Sequence, residues 1–205
     1  NQGIKKAKFD ILAFLNNDVI VSPGWDKRLI EIAEKNSLEI ITPCGIERLE
    51  NVDETKRFKR KWNRIKHVIS LMGVNNAAIK LMHKLMYNDW ELFTENRFNK
   101  FGDAVSEGFI GNTIVMKKSA IDKLGLFDER IQTADFDLYV RSKKRSLEKG
   151  DIKPVHVAWG VFNHHFIRMT LKAKHPEFAD KEKMITIEEK WGTDWDYYLK
   201  DYVVM

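Results

Sequence analysis

Near the start of the chain, apolar residues form a nearly continuous run. Residues 9–15 are apolar apart from Asp10. The polar residues Asn16, Asn17 and Asp18 follow directly. A short apolar run that ends in polar residues is typical of a strand buried on both faces in a parallel sheet. The pattern therefore predicts a strand over 9–15 with three polar side chains at its carboxyl end.

A helical pattern and a second strand follow. Within residues 25–35 the apolar side chains recur on one helix face, after a Ser-Pro-Gly turn. Residues 39–43 are again typical of a strand. A strand, a polar tip, a helix and a strand make an α/β unit, and ligands of open α/β sheets bind beyond the carboxyl ends of the strands. The polar tip at 16–18 is therefore the first candidate site.

Residues 47–100 differ in composition, because they are charged and their apolar residues are spaced by three or four. The spacing predicts two amphipathic helices on either side of residues 73–76. No internal repeat or low-complexity linker is found, so we interpret 47–100 as a helical insertion in one domain over 1–205, with a helical tail over 171–205. The apolar stripes consist of Trp62, Ile65, Ile69, Met72, Ile79, Met82, Met86 and Trp90.

Strands and helices alternate again after the insertion. Residues 112–116 predict a strand, and Ser119 is expected to cap a short helix that Gly125 ends. Residues 155–157 and 160–162 predict further strands. The chain is therefore expected to fold as an α/β domain.

A further helix brings two carboxylates close together in sequence. Thr133 is expected to cap a helix over 134–144, which places Asp135 and Asp137 in its first turn, where the helix dipole favours acids. Arg141 lies four residues after Asp137, a spacing that predicts an ion pair within the helix. A structural role is therefore the simpler interpretation of Asp137.

Composition excludes several classes of protein. The chain has 205 residues, of which 43% are hydrophobic and 32% charged, as in ordinary globular proteins and unlike disordered ones. Its apolar runs are far shorter than the roughly 20 residues that cross a bilayer. The single cysteine, Cys44, excludes an intrachain disulfide and favours a reducing, cytoplasmic location.

The net charge of +5 is concentrated in one stretch. Six cations fall within ten residues and alternate with Phe58, Trp62 and Ile65. A solvated helix face, a contact with anionic lipid headgroups at a membrane surface and a contact with an acidic acceptor all fit this pattern. Nucleic acid is not expected, since no recognised binding motif accompanies the charge. The six cations are Arg57, Lys59, Arg60, Lys61, Arg64 and Lys66.

The polar tip also suggests chemistry. A carboxylate at the end of a strand can hold a divalent cation that bridges the two phosphates of a nucleoside diphosphate. Hard oxygen ligands suit Mg²⁺ or Mn²⁺ better than zinc. Asp18 is the carboxylate in this position.

The order of motifs around Asp18 resembles the family 2 glycosyltransferases of GT-A fold. In that family an Asn-x-Gly segment, an apolar strand, an Asp-x-Asp-type motif and a helix follow one another. The resemblance implies that Asp18 contacts a metal and that Asn16, Asn17 and Asp18 bind the donor. Asn16 stands where the family has its first acid. The matching segments are Asn1-Gln2-Gly3-Ile4, Ala7, Ile11 to Leu15, Asn16-Asn17-Asp18 and Pro23-Gly24-Trp25 through Leu29.

A second set of segments is similar to a later part of the same family. There, a Gly-rich strand on the acceptor side precedes a Gly-Leu-Phe-Asp-Glu turn and a helix that starts with Glu-Asp. The resemblance implies that Asp135 is the general base, with Ala134 in place of the family's Glu. The matching segments are Gly108-Phe109-Ile110-Gly111-Asn112, Gly125-Leu126-Phe127-Asp128-Glu129 and Asp135-Phe136-Asp137-Leu138.

The third similar segment contains a pair of histidines. Asn163-His164-His165, followed by Thr170, resembles the strand end at which a family histidine approaches the metal or the diphosphate. His164 is the better match for the metal. Candidates on the acceptor side are Gly111, Asn112, Asp137 and His165.

The resemblance implies a GT-A-like, Rossmann-like mixed sheet flanked by helices, interrupted by the helical insertion and lacking the family's N-terminal strands. The chain would then be a partial glycosyltransferase catalytic domain, a hexosyl- or related transferase. It would move a sugar from a nucleoside-diphosphate sugar to a glycan, lipid-linked or protein acceptor, with inversion and with Mn²⁺ or Mg²⁺. The alternatives are a degenerate transferase domain that only binds, and a nucleotidyltransferase, which would release pyrophosphate.

Overall fold

The chain folds around a five-stranded mixed sheet with helices packed against it. The computed structural model describes residues 1–71, 73, 75–167 and 183–199. The strands are β1 (Ile11–Leu15), β2 (Val19–Ile20), β3 (Ile40–Cys44), β4 (Val105–Glu107), β5 (Thr113–Lys117), β6 (His156–Phe162) and β7 (His164–His165). The helices are α1 (Gln2–Lys6), α2 (Trp25–Lys35), α3 (Val52–Ser70), α4 (Asn76–Tyr87), α5 (Trp90–Phe101), α6 (Lys118–Leu124), α7 (Ala134–Lys149), α8 (Ile187–Trp191) and α9 (Asp194–Leu199).

The sheet has the strand order β1-β5-β3-β6-β4. Only β3 and β6 run parallel, and the other three neighbouring pairs are antiparallel. A separate two-stranded ladder joins β2 to β7. This mixed sheet with flanking helices confirms the α/β class and agrees with the GT-A-like architecture that the resemblance implies.

The prediction of a doubly buried parallel strand over 9–15 is wrong. β1 begins at Ile11, pairs antiparallel with β5 and lies at one end of the strand order, while Phe9 is 81% exposed. An apolar run alone cannot distinguish a central strand from an outer one, because pairing is decided by the rest of the sheet. The fully buried strand is β3, in which all five residues from Ile40 to Cys44 are buried.

Helix α2 and strand β3 confirm the first predicted unit. The helix has the predicted bounds, and Leu29, Ile32 and Ala33 form a cluster with the sheet. The strand is displaced by one residue from the prediction. None of the helices in the ranges given above is long and apolar enough to cross a membrane.

The middle of the chain contains three helices where two were predicted. α4 ends at Tyr87, Asn88 takes a left-handed φ of 62°, and the Asp89 side chain accepts the Leu92 N–H at the start of α5. The apolar spacing continues through this break, so the prediction that places Trp90 in the same helix as Met86 is wrong, and Trp90 begins α5. The described stripe residues pack into one cluster with β6, whereas Met72 lies outside the described residues. That 47–100 is an insertion stays a prediction.

Several boundaries in the second half also differ. α6 starts at Lys118, so Ser119 lies inside the helix and does not cap it. α7 extends to Lys149, five residues beyond the prediction. One strand, β6, replaces the two predicted short strands, and β4 was not predicted. Within the predicted tail, α8 and α9 are helical, and residues 171–182 and 200–205 lie outside the described ranges.

Asp137 anchors the described tail to the domain. Its side chain is fully buried, and its Oδ2 accepts a hydrogen bond from Arg141 Nε at 2.9 Å, which confirms the predicted ion pair. Its Oδ1 accepts from Trp191 Nε1 at 2.9 Å and lies 2.7 Å from Lys190 Nζ. Both carboxylate oxygens are therefore engaged, one of them by the α8 segment.

We expect Asp137→Ala to lower the free energy of unfolding by about 3 kcal/mol, because it removes a fully buried carboxylate and leaves the partly buried Arg141 and Lys190 with fewer partners. Urea denaturation followed by circular dichroism measures this change. The matched control is Glu31→Ala, which removes an exposed pair with Lys27 at 3.9 Å and should cost about 1 kcal/mol or less. Equal losses in the two variants would show that the buried network contributes no more than a surface pair.

Candidate active site

A cleft of about 650 Å³ opens where several strands of the main sheet end or begin. This volume lies within the range of small-molecule sites. Its apolar wall consists of Phe14, Phe109, Ile110, Ile114, Phe127, Ala134 and Phe136. Its other lining residues are Asn16, Glu47, Arg48, Lys59, Gly111, Asn112, Gln132, Asp135 and His165.

The antiparallel pairing of β1 with β5 brings two of the predicted segments together. Leu15, the last residue of β1, pairs with Thr113, the first residue of β5. The Asn16 N–H then donates to the Asn112 carbonyl at 2.9 Å. The strand tip after β1 and the Gly111-Asn112 segment before β5 therefore meet at the cleft, although Asn16 and Asn112 are 96 positions apart in sequence.

Glu47 connects this corner to the histidine segment. It follows β3 in a short turn, and its Oε1 accepts a hydrogen bond from Asn112 Nδ2 at 3.0 Å. The same oxygen is hydrogen-bonded to His165 Nδ1. Its Oε2 is buried and has no hydrogen-bond partner among the residues described. One carboxylate thus holds the loop after β3, the segment before β5 and strand β7.

The two histidines have opposite surroundings, because successive residues of a strand point to opposite faces. His165 pairs with Val19 in the β2–β7 ladder and lines the cleft. His164 is fully buried, is hydrogen-bonded through Nδ1 to the Tyr87 hydroxyl at 2.7 Å and packs edge-on against Trp62. Burial lowers the pKa of His164 well below its usual value. The structure therefore brings His165 to the site and leaves His164 in the core, which argues against the metal role predicted for His164.

Asp18 contacts His165, which lines the cleft. The His165 Nε2 lies 3.1 Å from Asp18 Oδ1, so the imidazole is held between two carboxylates. Burial disfavours the charged imidazole, but Glu47 and Asp18 outweigh it and raise the pKa of His165. Asn16 lines the cleft, whereas Asn17 and Asp18 are not among its lining residues.

Asp135 occupies the space that Gly111 leaves open. It stands in the first turn of α7, and a Cβ atom on Gly111 would overlap its carboxylate. Burial against the cleft wall raises the pKa of Asp135, and hydrogen bonding by backbone N–H groups at the helix start only partly offsets this effect. A half-buried carboxylate with a raised pKa, in a cleft, is suited to accept a proton.

The Arg48 guanidinium likewise occupies the space that a second glycine of the same segment, Gly108, leaves open. Gly108 has a φ of 138°, and a Cβ atom there would overlap the Arg48 guanidinium. Arg48 Nη2 donates to the Glu107 carbonyl at 3.3 Å, and the residue is 9% exposed at the edge of the cleft. The two glycines of Gly-Phe-Ile-Gly therefore make room for one cation and one carboxylate.

Asp137 does not lie in the cleft. Its carboxylate is fully buried in the network with Arg141 and Lys190. The acceptor-side role predicted for it has no support in this position, while Gly111, Asn112 and His165 do line the cleft.

Residues 1–124 match the sequence model of glycosyl transferase family 2. The chain belongs to this family. A search of curated proteins found no match. The matched range includes Asn16, Asp18 and Asn112 of this glycosyltransferase, and it ends before Asp135 and His165.

Glu47 and Arg48 are the site residues that sequence reasoning missed. Both stand at the start of the charged segment that we interpreted as an insertion, and nothing in their spacing distinguishes them from surface charges. The only available signal was their position just after a buried strand, where α/β ligands gather.

We expect Gly111→Ala to displace the Asp135 carboxylate and to reduce turnover by at least tenfold, because misplacing a reacting group by about 1 Å can cost on the order of 100-fold. Release of nucleoside diphosphate from a nucleotide sugar measures turnover. Gly3→Ala is the matched control, since Gly3 lies in α1 with no atom within 4 Å of an added Cβ. Unchanged turnover in Gly111→Ala would mean that the fit of Asp135 on Gly111 has no catalytic importance.

Proposed function

We propose that this chain transfers a sugar from a nucleoside-diphosphate sugar to an acceptor hydroxyl with inversion, and that Asp135 is the general base. Membership of glycosyl transferase family 2 supports a nucleotide-sugar donor and a glycan acceptor in general. The observation that carries the base assignment is the position of Asp135, which lines the cleft in the space above Gly111 and has a raised pKa.

The chemistry requires one carboxylate of this kind. The acceptor oxygen forms a bond to the anomeric carbon while the bond from that carbon to the diphosphate oxygen breaks. Asp135 takes the hydroxyl proton as the new bond forms, and the nucleoside diphosphate leaves with the bonding electron pair. A raised pKa makes the carboxylate a stronger base toward the acceptor hydroxyl. A single in-line displacement inverts the anomeric configuration.

A divalent cation fits the site only if the diphosphate of the donor supplies some of its ligands. The described part of the chain contains no group of three or more His, Cys, Asp or Glu side chains that could hold a metal ion. Asp18 and His165 Nε2 lie together, and Glu47 on the opposite ring nitrogen orients the imidazole as carboxylates do in metal sites. Mg²⁺ commonly uses one or two protein ligands, with phosphates and water completing its shell.

We therefore propose that Asp18 and His165, in place of Asp18 and His164, hold Mn²⁺ or Mg²⁺ together with the donor diphosphate. The cation would supply positive charge to the departing diphosphate. Asn16 and Arg48 line the same cleft, so we propose that they contact the donor. Three further points remain proposals: that Asn17 binds the donor, that residues 57–66 contact a membrane surface, and that the protein is cytoplasmic.

The binding-module alternative rests on Asn16 and Ala134, which replace acids of the family pattern. It predicts donor or acceptor binding without any release of nucleoside diphosphate. A nucleotidyltransferase would release pyrophosphate. Product analysis with a panel of nucleotide sugars and Mn²⁺ distinguishes the three activities.

We expect Asp135→Asn to reduce the turnover number by about 10²- to 10⁴-fold, because the amide cannot accept the proton. Donor affinity, measured by calorimetry, should stay within a few-fold. In the unaltered protein kcat/KM should fall as pH drops through the pKa of Asp135, which lies above the ordinary aspartate value, and this acidic limb should vanish in the variant.

The control for this experiment is Asp26→Asn, which changes an exposed acid in the first turn of α2. It tests whether any acid at a helix start has the same effect. If Asp135→Asn and Asp26→Asn changed turnover to the same extent, Asp135 would be ruled out as the base. A product that retains the donor's anomeric configuration would rule out an inverting transfer.

We expect Asp18→Asn and Glu47→Gln to weaken Mn²⁺ binding in the presence of nucleoside diphosphate. Loss of the orienting carboxylate at Glu47 typically lowers metal affinity by about 10- to 100-fold. Electron paramagnetic resonance of Mn²⁺ measures binding without requiring turnover. Glu91→Gln, an exposed acid at the start of α5, is the control. Wild-type Mn²⁺ affinity in both site variants would exclude Asp18 and His165 as the ligands of the cation.

A further inference from the structure

The helical hairpin formed by α3 and α4 carries more positive charge than the whole chain. Residues 52–87 contain nine Lys and Arg residues and two acids, a net charge of +7, whereas the chain as a whole has +5. The remaining residues therefore have a net charge of −2. The two acids, Asp53 and Glu54, both lie in the first turn of α3. Beyond that turn the hairpin carries only positive formal charge.

The cations of the hairpin lie mainly on its outer face. The two helices are antiparallel, since Lys61 Nζ, in the middle of α3, donates to the carbonyl of Met86 near the end of α4. The inner side of α3 is buried through Thr55, Trp62 and Ile69. The exposed cations of the hairpin are Lys56, Arg57, Arg60, Lys61, Arg64, Lys80 and Lys84.

Large apolar side chains are exposed on the same hairpin. Leu81 and Leu85 lie one turn apart on α4, next in sequence to Lys80 and Lys84, and are 40% and 50% exposed. Val68 and Leu71, at the end of α3, are 56% and 80% exposed. The hairpin therefore presents a basic surface that contains four exposed apolar side chains.

We infer that the outer face of the α3–α4 hairpin binds an anionic lipid bilayer. Clusters of four to eight Lys and Arg residues on an amphipathic helix are typical of segments that bind anionic headgroups, and apolar side chains between them enter the headgroup region. A merely solvated surface normally has both signs of charge interspersed, and acids are confined here to the first turn. A nucleic-acid surface would use the cations but give the four apolar side chains no role.

This surface lies beside the candidate active site. Lys59, on the inner part of α3, lines the cleft, whereas Arg60 and Arg64 are exposed on the outer side of the same helix. The thickness of one helix, about 10 Å, therefore separates the two. If the transfer activity proposed above holds, the acceptor is one that a membrane presents. This consequence rests on the proposed function, while the binding surface itself does not.

Flotation of the 205-residue chain with vesicles tests the inference without any assay of turnover. We expect binding to vesicles of equimolar phosphatidylcholine and phosphatidylglycerol, weakening as salt rises, and little binding to phosphatidylcholine alone. The triple variant Arg60→Gln, Arg64→Gln, Lys84→Gln should bind about 100-fold more weakly, at about fivefold per charge. Leu85→Gln should weaken binding by roughly fivefold through its lost apolar contact with the bilayer.

Each variant has a control of equal chemistry elsewhere on the molecule. Lys6→Gln, Lys8→Gln, Lys149→Gln removes three exposed charges, and Leu147→Gln changes a leucine that is 59% exposed on α7. Equal effects in test and control variants would show that binding does not depend on the α3–α4 surface, and would overturn the inference. Tight binding of a short RNA or DNA duplex that is insensitive to Leu85→Gln, without vesicle binding, would assign the surface to nucleic acid instead.

Discussion

The candidate site depends on the Glu47 carboxylate, which holds three separate segments in place. Glu47 accepts hydrogen bonds from Asn112 before β5 and from His165 on β7, and it stands itself in the turn after β3. A hydrogen bond to an ionised group contributes more than one between neutral groups, so a single carboxylate can fix several loops. His165 in turn faces Asp18, which links the strand tip after β1 to the same network. Asp18 and His165, the pair proposed to hold the cation with the diphosphate, are therefore positioned directly or indirectly by this residue.

Two glycines leave the space that two other side chains of the candidate site occupy. Gly108 and Gly111 have no side chains, and the Arg48 guanidinium and the Asp135 carboxylate fill the space where Cβ atoms would stand. A cation and an acid are thus placed at the cleft by the backbone of one segment. The burial that this close packing produces also explains the raised pKa of Asp135, since an ionised carboxylate is poorly solvated beside apolar walls. Position and proton affinity have the same structural cause.

The sequence predicted local features well and long-range pairing poorly. Helix α2 could be delimited because a turn and a one-sided apolar pattern mark its limits. Asp135 and Asp18 could be proposed as site residues because their motifs are contiguous in sequence. The outer position of β1 could not be predicted, because its partner β5 lies about a hundred residues away. Glu47 was missed for the same reason, since both of its hydrogen-bond partners are distant in sequence. Such a residue is recognisable only when the sheet order is known.

The assignment of roles to the two histidines shows how the helical segment contributes to the site. Strand alternation allows only one of two neighbouring side chains to face the cleft, and the sequence alone does not say which. Here His164 is held in the core by the Tyr87 hydroxyl from α4 and the Trp62 ring from α3. With His164 fixed there, His165 must point to the opposite face, towards Glu47 and Asp18. The α3–α4 hairpin thus determines which histidine reaches the cleft, while its outer face remains available for a different contact. A segment that looked like an addition to the domain is in this way part of the structure that orients the candidate active site.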